Sequence, residues 1–191
     1  MMQTVLKDVA MITVGHPIRD AVRSTPGGDV AVVQIKNVDV ETGIDWPSVA
    51  VTKLTGKREP DWLKSGDVLF SARGQRNVAV CVDQPPPKSV CSPHFFLIRA
   101  SDALVPQFLA WQMNLPRAQK YFAQSATGSY ITSIRRQVLE TLILLVPGVE
   151  RQRLIAGLAE TARRERHLIR KLIENRQREL ELLAKGLLDV E

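Results

Sequence analysis

Residues 150–189, ERQRLIAGLAETARRERHLIRKLIENRQRELELLAKGLLD, decide the architecture. Leu154, Ile155, Leu158, Ala162, Leu168, Ile169, Leu172, Ile173, Leu180, Leu183 and Leu187 recur at three- and four-residue steps, with Arg, Lys and Glu between them and no proline. The spacing predicts one amphipathic helix. At 1.5 Å per residue it is roughly 60 Å long, beyond the diameter of a domain built from the other ~150 residues. Much of its apolar stripe therefore needs a partner helix.

The stripe does not hold a clean heptad. Stepping by seven from Ile155 gives Ala162, Ile169, Arg176 and Leu183, while Leu158, Glu165, Leu172 and Glu179 alternate apolar and acidic. Charge pairing then sets the register. An antiparallel pair of such helices brings Glu165 and Glu179 near the Arg176 or Arg163 region of the other copy.

Working outward, the chain of 191 residues, 45% hydrophobic and 24% charged, is large enough for one globular core with the helix as an appendage. Lys and Arg exceed Asp and Glu by 26 to 20, and the net charge of +6 points to a polyanionic partner. The surplus divides as 16 minus 12 before Pro147 and 10 minus 8 after it, so the globular part carries more of it. No apolar run reaches 18 residues, and no leader with a basic start, apolar middle and small-residue cleavage site is present. A soluble, cytoplasmic protein without membrane contact is expected. Cys81 and Cys91 then read as reduced, buried thiols, and with His94 they lack the CxxC spacing of a metal site.

The residues before the helix predict a small, mostly antiparallel β-rich domain. Val5–Ala10 reads as a helical turn and Met11–Val14 as a strand ending at Gly15. Further strands are expected over Val30–Lys36, Val49–Leu54, Asp67–Ala72, Val78–Val82 and Phe95–Arg99, short runs rich in Val and aromatics between turn residues. A helix follows from Pro106, broken near Pro116 and resuming over Tyr121–Gln124. A loop at 126–130, a turn around Ile134–Val138 and an apolar strand Thr141–Val146 lead to Pro147-Gly148 and the long helix.

Catalytic signatures are missing. No two glycines are spaced as GxG, which removes a dinucleotide fingerprint and a glycine-rich methyl-donor loop, and Gly56-Lys57 lacks the rest of a P-loop. Pro60-Asp61 resembles the start of a nuclease acidic set, but no Asp or Glu stands two residues before any lysine to complete it. His16, His94 and His167 have no nucleophile at motif spacing. Neither a catalytic residue, a cofactor nor a metal is expected.

Polar and basic clusters remain. Ser71, Arg73, Gln75, Arg76 and Asn77 stand on one tight loop; Thr127, Ser129, Tyr130, Thr132, Arg135 and Arg136 stand on another. Such side chains suit base edges and phosphates. Lys36, Asn37, Lys53, Lys57 and Arg58 add groups suited to backbone contact. By composition each cluster reads equally well as a solvated loop.

Several segments, in order, resemble the specificity subunits of type I restriction-modification systems: Val5-Leu6-Lys7-Asp8-Val9-Ala10 with Gly15, then Val33-Gln34-Ile35-Lys36-Asn37-Val38 followed by Thr42-Gly43-Ile44-Asp45. Leu63-Lys64-Ser65-Gly66-Asp67-Val68-Leu69-Phe70-Ser71 with Arg73-Gly74, and Gly128-Ser129 with Ile131 and Ile134, continue the series. Pro147-Gly148-Val149-Glu150-Arg151-Gln152 is similar to the family's approach to its conserved helix, with Gly148-Val149 where Pro-Leu is more usual.

The resemblance implies an α+β fold: a small mixed or antiparallel β-rich target recognition domain with short helices over 1–147, then a spacer helix over 148–191 that pairs as an antiparallel coiled coil. It implies a non-catalytic subunit that reads half of a bipartite site in double-stranded DNA. Methylation subunits, and indirectly the restriction subunit, supply the chemistry. Family members usually carry two domain-helix units and this sequence holds one, so it pairs with itself through Leu154, Ile155, Leu158, Ala162, Ile169, Leu172, Ile173, Leu180, Leu183 and Leu187, or works with another partner. The competing expectation is a helix-mediated interaction or inhibitor protein that keeps the fold without specific DNA binding.

Overall fold

The computed structural model describes residues 2–18, 22–55, 59–74, 77–126 and 133–188. In chain order these form β1 (Met2–Val5), α1 (Leu6–Val9), β2 (Ala10–Val14), β3 (Val30–Val33), β4 (Val38–Asp39), β5 (Gly43–Ile44), β6 (Ala50–Thr52), β7 (Val68–Ser71), β8 (Ala79–Cys81), β9 (Ser89–Cys91) and β10 (Phe95–Ala100). The helices α2 (Pro106–Asn114), α3 (Pro116–Ser125) and α4 (Arg136–Glu140), the strand β11 (Ile143–Val146) and the long helix α5 (Val149–Leu188) follow.

Strands β2-β10-β7-β8 form an antiparallel sheet, and β6-β3-β9 a smaller one in which β3 and β9 run parallel. β1 pairs with β11, closing the two ends of the domain on each other, and β4 pairs with β5 as a hairpin. Two-residue alternation along β7 and β10 builds cores on both faces of the larger sheet. Val68, Phe70, Phe96 and Ile98 turn toward the helices, where they meet Leu6, Phe108, Met113, Phe122, Leu139 and Leu144. Leu69, Phe95 and Leu97 turn the other way and meet Ala31, Val33, Val49 and Cys91 around the smaller sheet. With layers on both sides, β7 is apolar nearly throughout.

The expected strand over Val30–Lys36 stops at Val33, and the physical cause is Asn37. Its Oδ1 accepts the Gln34 N–H at 2.9 Å while its own N–H donates to the Gln34 carbonyl at 2.9 Å, curling 35–37 into a tight 3-10 turn. The helical break near Pro116 is present, but α3 restarts at Pro116 itself. Leu115 is extended, as the residue before a proline must be, and Pro116 takes the first helical position, where its missing N–H costs nothing. Strands β1 and β9 and the β4–β5 hairpin were not expected from sequence. Gly15 marks a close crossing, since a Cβ there would stand 2.1 Å from the Ser92 carbonyl oxygen.

The first anchor of α5 lies at its start. Gln152 is fully buried; its Oε1 accepts the Val105 N–H at 2.8 Å and its Nε2 donates to the carbonyls of Ala103 and Pro147, each at 2.8 Å. Ala156 is buried and Ile155 half-buried against the helical core. From residue 168 onward every described residue of the helix is exposed.

Candidate nucleic-acid interface and helix face

The structure joins the two polar clusters that lie far apart in sequence. Arg73 and Ser133 form an isolated antiparallel bridge, and the Ile134 N–H donates to the Ala72 carbonyl at 2.9 Å. The loop leaving β7 and the segment leading into α4 thus share one edge of the domain. Arg73, Arg135 and Arg136 are exposed there. Arg136 Nε pairs with Glu140 at 2.8 Å one turn further on, and that exposed pair leaves the guanidinium at the surface.

The base of this edge is held from beneath. The Ser71 hydroxyl, 2% exposed, accepts the Val78 N–H at 2.6 Å, and Asn77 Nδ2 donates to the Ser71 carbonyl at 2.8 Å. Gln119 Nε2 donates to the carbonyls of Asn77 and Met113 at 2.8 and 2.7 Å, and Asn114 brackets Ala79 through both its amide atoms. Ser71 and Asn77 therefore clamp the loop, and Asn37, 2% exposed, spends its Nδ2 on Ser48 O and Oγ. These three were expected among the DNA-facing residues; Ser71 and Asn37 are buried and spend polar atoms on the fold, as the half-buried Asn77 does with its Nδ2. Of the other expected residues, Lys57, Arg58, Gln75, Arg76, Thr127, Ser129, Tyr130 and Thr132 lie outside the described residues.

Lys36 and Lys53 are exposed at opposite ends of the smaller sheet: β3 pairs Val30 with Thr52 at one end and leads into the 35–37 turn at the other. Lys53 borders a shallow depression with Asp29, Trp62 and Lys88, where the Lys88 ammonium holds the Asp29 carboxylate at 2.6 Å and lowers its pKa. Arg99 forks between Asp67, at 3.0 Å, and Asp61, at 2.7 Å, and donates to the Trp62 carbonyl at 2.9 Å. Asp61 is thus an ion-pair partner that pins the 59–67 segment to β10. Among the described residues, no group of three or more His, Cys, Asp or Glu is placed to hold a metal ion. Burial pushes both thiols up to about 12, Cys81 with added repulsion from Asp83 and Asp67.

Sequence reasoning missed a second anchor on α5. Asp39 Oδ1 accepts the N–H groups of Glu41 and Thr42 at 2.7 and 3.2 Å, and Gly43 turns the hairpin with φ +78°. The hairpin tip then meets the helix: Arg163 donates to the Glu41 carbonyl, and Arg166 pairs with the Glu41 carboxylate at 3.3 Å. Glu160 sits between Arg163 and Arg164, each at 2.7 Å; hydrogen bonding to Arg163 above all holds its carboxyl below the ordinary range. A cleft of about 600 Å³ lies between the hairpin, α2 and this part of α5, with Trp111 and Asn114 in its wall. Asp39 and Gly43 are the only sequence signals for this hairpin, and neither points to the helix more than 120 residues on.

Of the expected pairing residues, Leu154, Leu158, Ile169, Leu172, Ile173, Leu180, Leu183 and Leu187 are between 50% and 80% exposed. Ala162 is half-buried. Ile155 faces the domain rather than the free stripe. No helix of the described residues is long and apolar enough to cross a membrane.

No family model matches the chain, and no curated protein matches it. Solved structures do. A chain from work on the complex assembly and conformational transition of the type I R-M system superposes with a TM-score of 0.64 at 18% identity, covering 98% of this chain and 44% of that one. The type I restriction-modification system S subunit from M. genitalium gives 0.63 at 16%, over 99% and 46%. The HsdS subunit from Thermoanaerobacter tengcongensis gives 0.61 at 22%, over 95% and 46%. The chain spans less than half the length of each. A β-rich domain with short helices followed by one long helix is thus the fold this chain shares with the S subunits of type I restriction-modification systems.

Proposed function

We propose that this chain is a sequence-specific DNA-binding specificity subunit of a type I restriction-modification system. Its domain reads one half of a bipartite site, and two copies joined through α5 present two such domains to one duplex. The observation that carries this reading is the pairing of one recognition-type domain with one long helix whose apolar stripe its own domain leaves uncovered. The edge formed by Arg73 and Arg135 supplies the readout, with Lys36 and Lys53 on phosphates. Both arginine side chains are exposed, and a guanidinium suits bidentate contact with guanine. Methylation and cleavage belong to partner subunits docked along the helices, so the chain itself is not an enzyme.

Selection from a random duplex library tests the proposal. A homodimer with identical domains enriches an inverted repeat with a fixed spacing, because a two-fold protein mirrors its site. Binding that weakens steeply with salt yet enriches no sequence leaves only phosphate contact and refutes specific reading. No DNA affinity at all favours the helix-mediated interaction protein instead.

A further inference from the structure

Two contacts of different kinds hold α5 to the domain. The first is packed: Gln152 and Ala156 are buried against the 103–105 turn and the helical core. The second is polar and stands about two turns further along, where Arg163 donates to the Glu41 carbonyl and Arg166 pairs with the Glu41 carboxylate. Between the two, the helix borders the cleft of about 600 Å³, with the small side chains of Ala79, Ala110, Ala156 and Ala159 among its lining. The hairpin thus reaches the helix beside a cleft, through polar groups.

By composition, the turn between these contacts is the weakest in the anchored part of the helix. Gly157 stands there, and glycine costs a helix interior more than any residue but proline, because it gives up the most backbone freedom. Thr161 adds to this. Its Oγ1 donates to the Gly157 carbonyl at 3.0 Å, a side-chain bond one turn on that competes with the backbone ladder and often bends a helix. A Cβ at Gly157 would meet nothing among the described residues within 4 Å, so packing does not require the glycine.

A bend at this turn has long leverage. The helix runs on for roughly 45 Å from Gly157 to Leu188, so a change of about ten degrees at the turn moves its far end by about 8 Å relative to the domain. The polar contact lies on the far side of Gly157, where it opposes that swing. Its parts are held in advance. Glu160 keeps the Arg163 and Arg164 guanidiniums at 2.7 Å each, and Asp39 Oδ1 with Gly43 shapes the hairpin tip that presents Glu41.

We infer that the β4–β5 hairpin is a brace that fixes the angle of the domain on α5 across a pivot at Gly157, with Arg163 and Arg166 as positioning residues rather than base readers. That this angle places the recognition edge over its half-site rests on the DNA reading proposed above; the brace itself does not. With the brace in place the edge has one position relative to the far part of the helix. Without it the edge has a range of positions.

Electron–electron distances between nitroxides at K120C and R170C, both exposed positions, test the brace in the full chain. Labelled molecules are diluted in unlabelled ones, so that only distances within one chain are read. Cys81 and Cys91, their thiols pushed up to about 12 by burial, stay unlabelled near neutral pH. The otherwise unchanged chain gives one narrow distribution. R163A/R166A broadens it about twofold, although alanine favours the helix, and adding G157A narrows it again. In duplex selection, the unchanged chain and the triple variant enrich paired half-sites at one spacing, whereas R163A/R166A enriches the same half-sites over several spacings. Loss of positive charge alone weakens binding at every spacing, and G157A does not repair it. An R163A/R166A distribution as narrow as the original overturns the brace, and a breadth that G157A leaves unchanged overturns the pivot. Distances that respond as expected, beside selections that enrich no paired half-sites, uphold the brace and refute the DNA reading instead.

Discussion

Residues 149–167 and 168–188 of α5 are alike in texture, both alternating Leu and Ile with Arg, Lys and Glu, yet the first is held by the domain and the second is exposed throughout among the described residues. What distinguishes them is the face beside the stripe. The first part carries Gln152, Ala156 and Ala159 there, an amide and small side chains that let the helix approach α2 and the 103–105 turn. The second carries mostly charged and amide residues on that side, Arg170, Glu174, Gln177, Glu181 and Lys185. Large apolar residues on a helix thus do not say which neighbour they meet; the small residues next to them mark the part that belongs to the domain. The large residues that continue past it are exposed on the described chain.

The sharpest way to break that contrast is to truncate the free half. Leu172→Ala removes a side chain that is 68% exposed in one copy, so thermal unfolding of the domain should not move. Each of two copies loses about 2 kcal/mol of apolar contact, weakening the dimer by about 4 kcal/mol, roughly a thousandfold in concentration-dependent mass. The opposite outcome is expected at the anchored half. Gln152→Ala leaves a buried N–H and two carbonyls without partners and should lower domain stability by about 3 kcal/mol in denaturant titration, with self-association unchanged at temperatures where the domain is folded.

The recognition edge comes next in size. Arg73→Ala or Arg135→Ala should weaken binding to the selected duplex by about 1 to 3 kcal/mol and relax preference at one position if the side chain reads a base. Equal loss on every sequence, with a shallower salt slope, reassigns the residue to phosphate. At the second anchor, Glu41→Ala removes an exposed ion pair to Arg166 and should change stability by at most about 1 kcal/mol. The smallest effect is acidic. Glu160 has a carboxyl pKa lowered from 4.5, first by hydrogen bonding to Arg163, so its stabilising contribution is present above that ordinary value and is lost as pH falls through the lowered one. Helix mobility near residue 160, read by amide exchange, should rise only below about pH 4.5.

Much of this was legible in the sequence, and the reasons differ by element. The long helix could be read because its three- and four-residue spacing does not depend on what covers it. Strands β3, β7 and β10 could be read because burial on two faces makes them continuous apolar runs. Strand β9, Ser89-Val90-Cys91, could not, since its partners Ala31 and Val33 lie far back in the chain and its own composition is weak. Asn37 and Ser71 were legible as polar residues at loop mouths, but whether such a side chain faces solvent or closes the turn depends on Ser48 and Val78, which only the fold brings close. The same holds for Glu41, whose helix partners are set by the hairpin's placement. The junction of Arg73 with Ser133 is a tertiary fact; sequence showed two clusters and no reason to join them.

The central claim is that α5 joins two copies on one duplex. Native mass spectrometry of the full chain with its selected duplex measures this directly. The account predicts a complex holding two chains of 21.3 kDa on a duplex that carries both half-sites, and loss of that complex when the spacing is changed by half a helical turn. One chain per duplex, indifferent to the spacing, would contradict it.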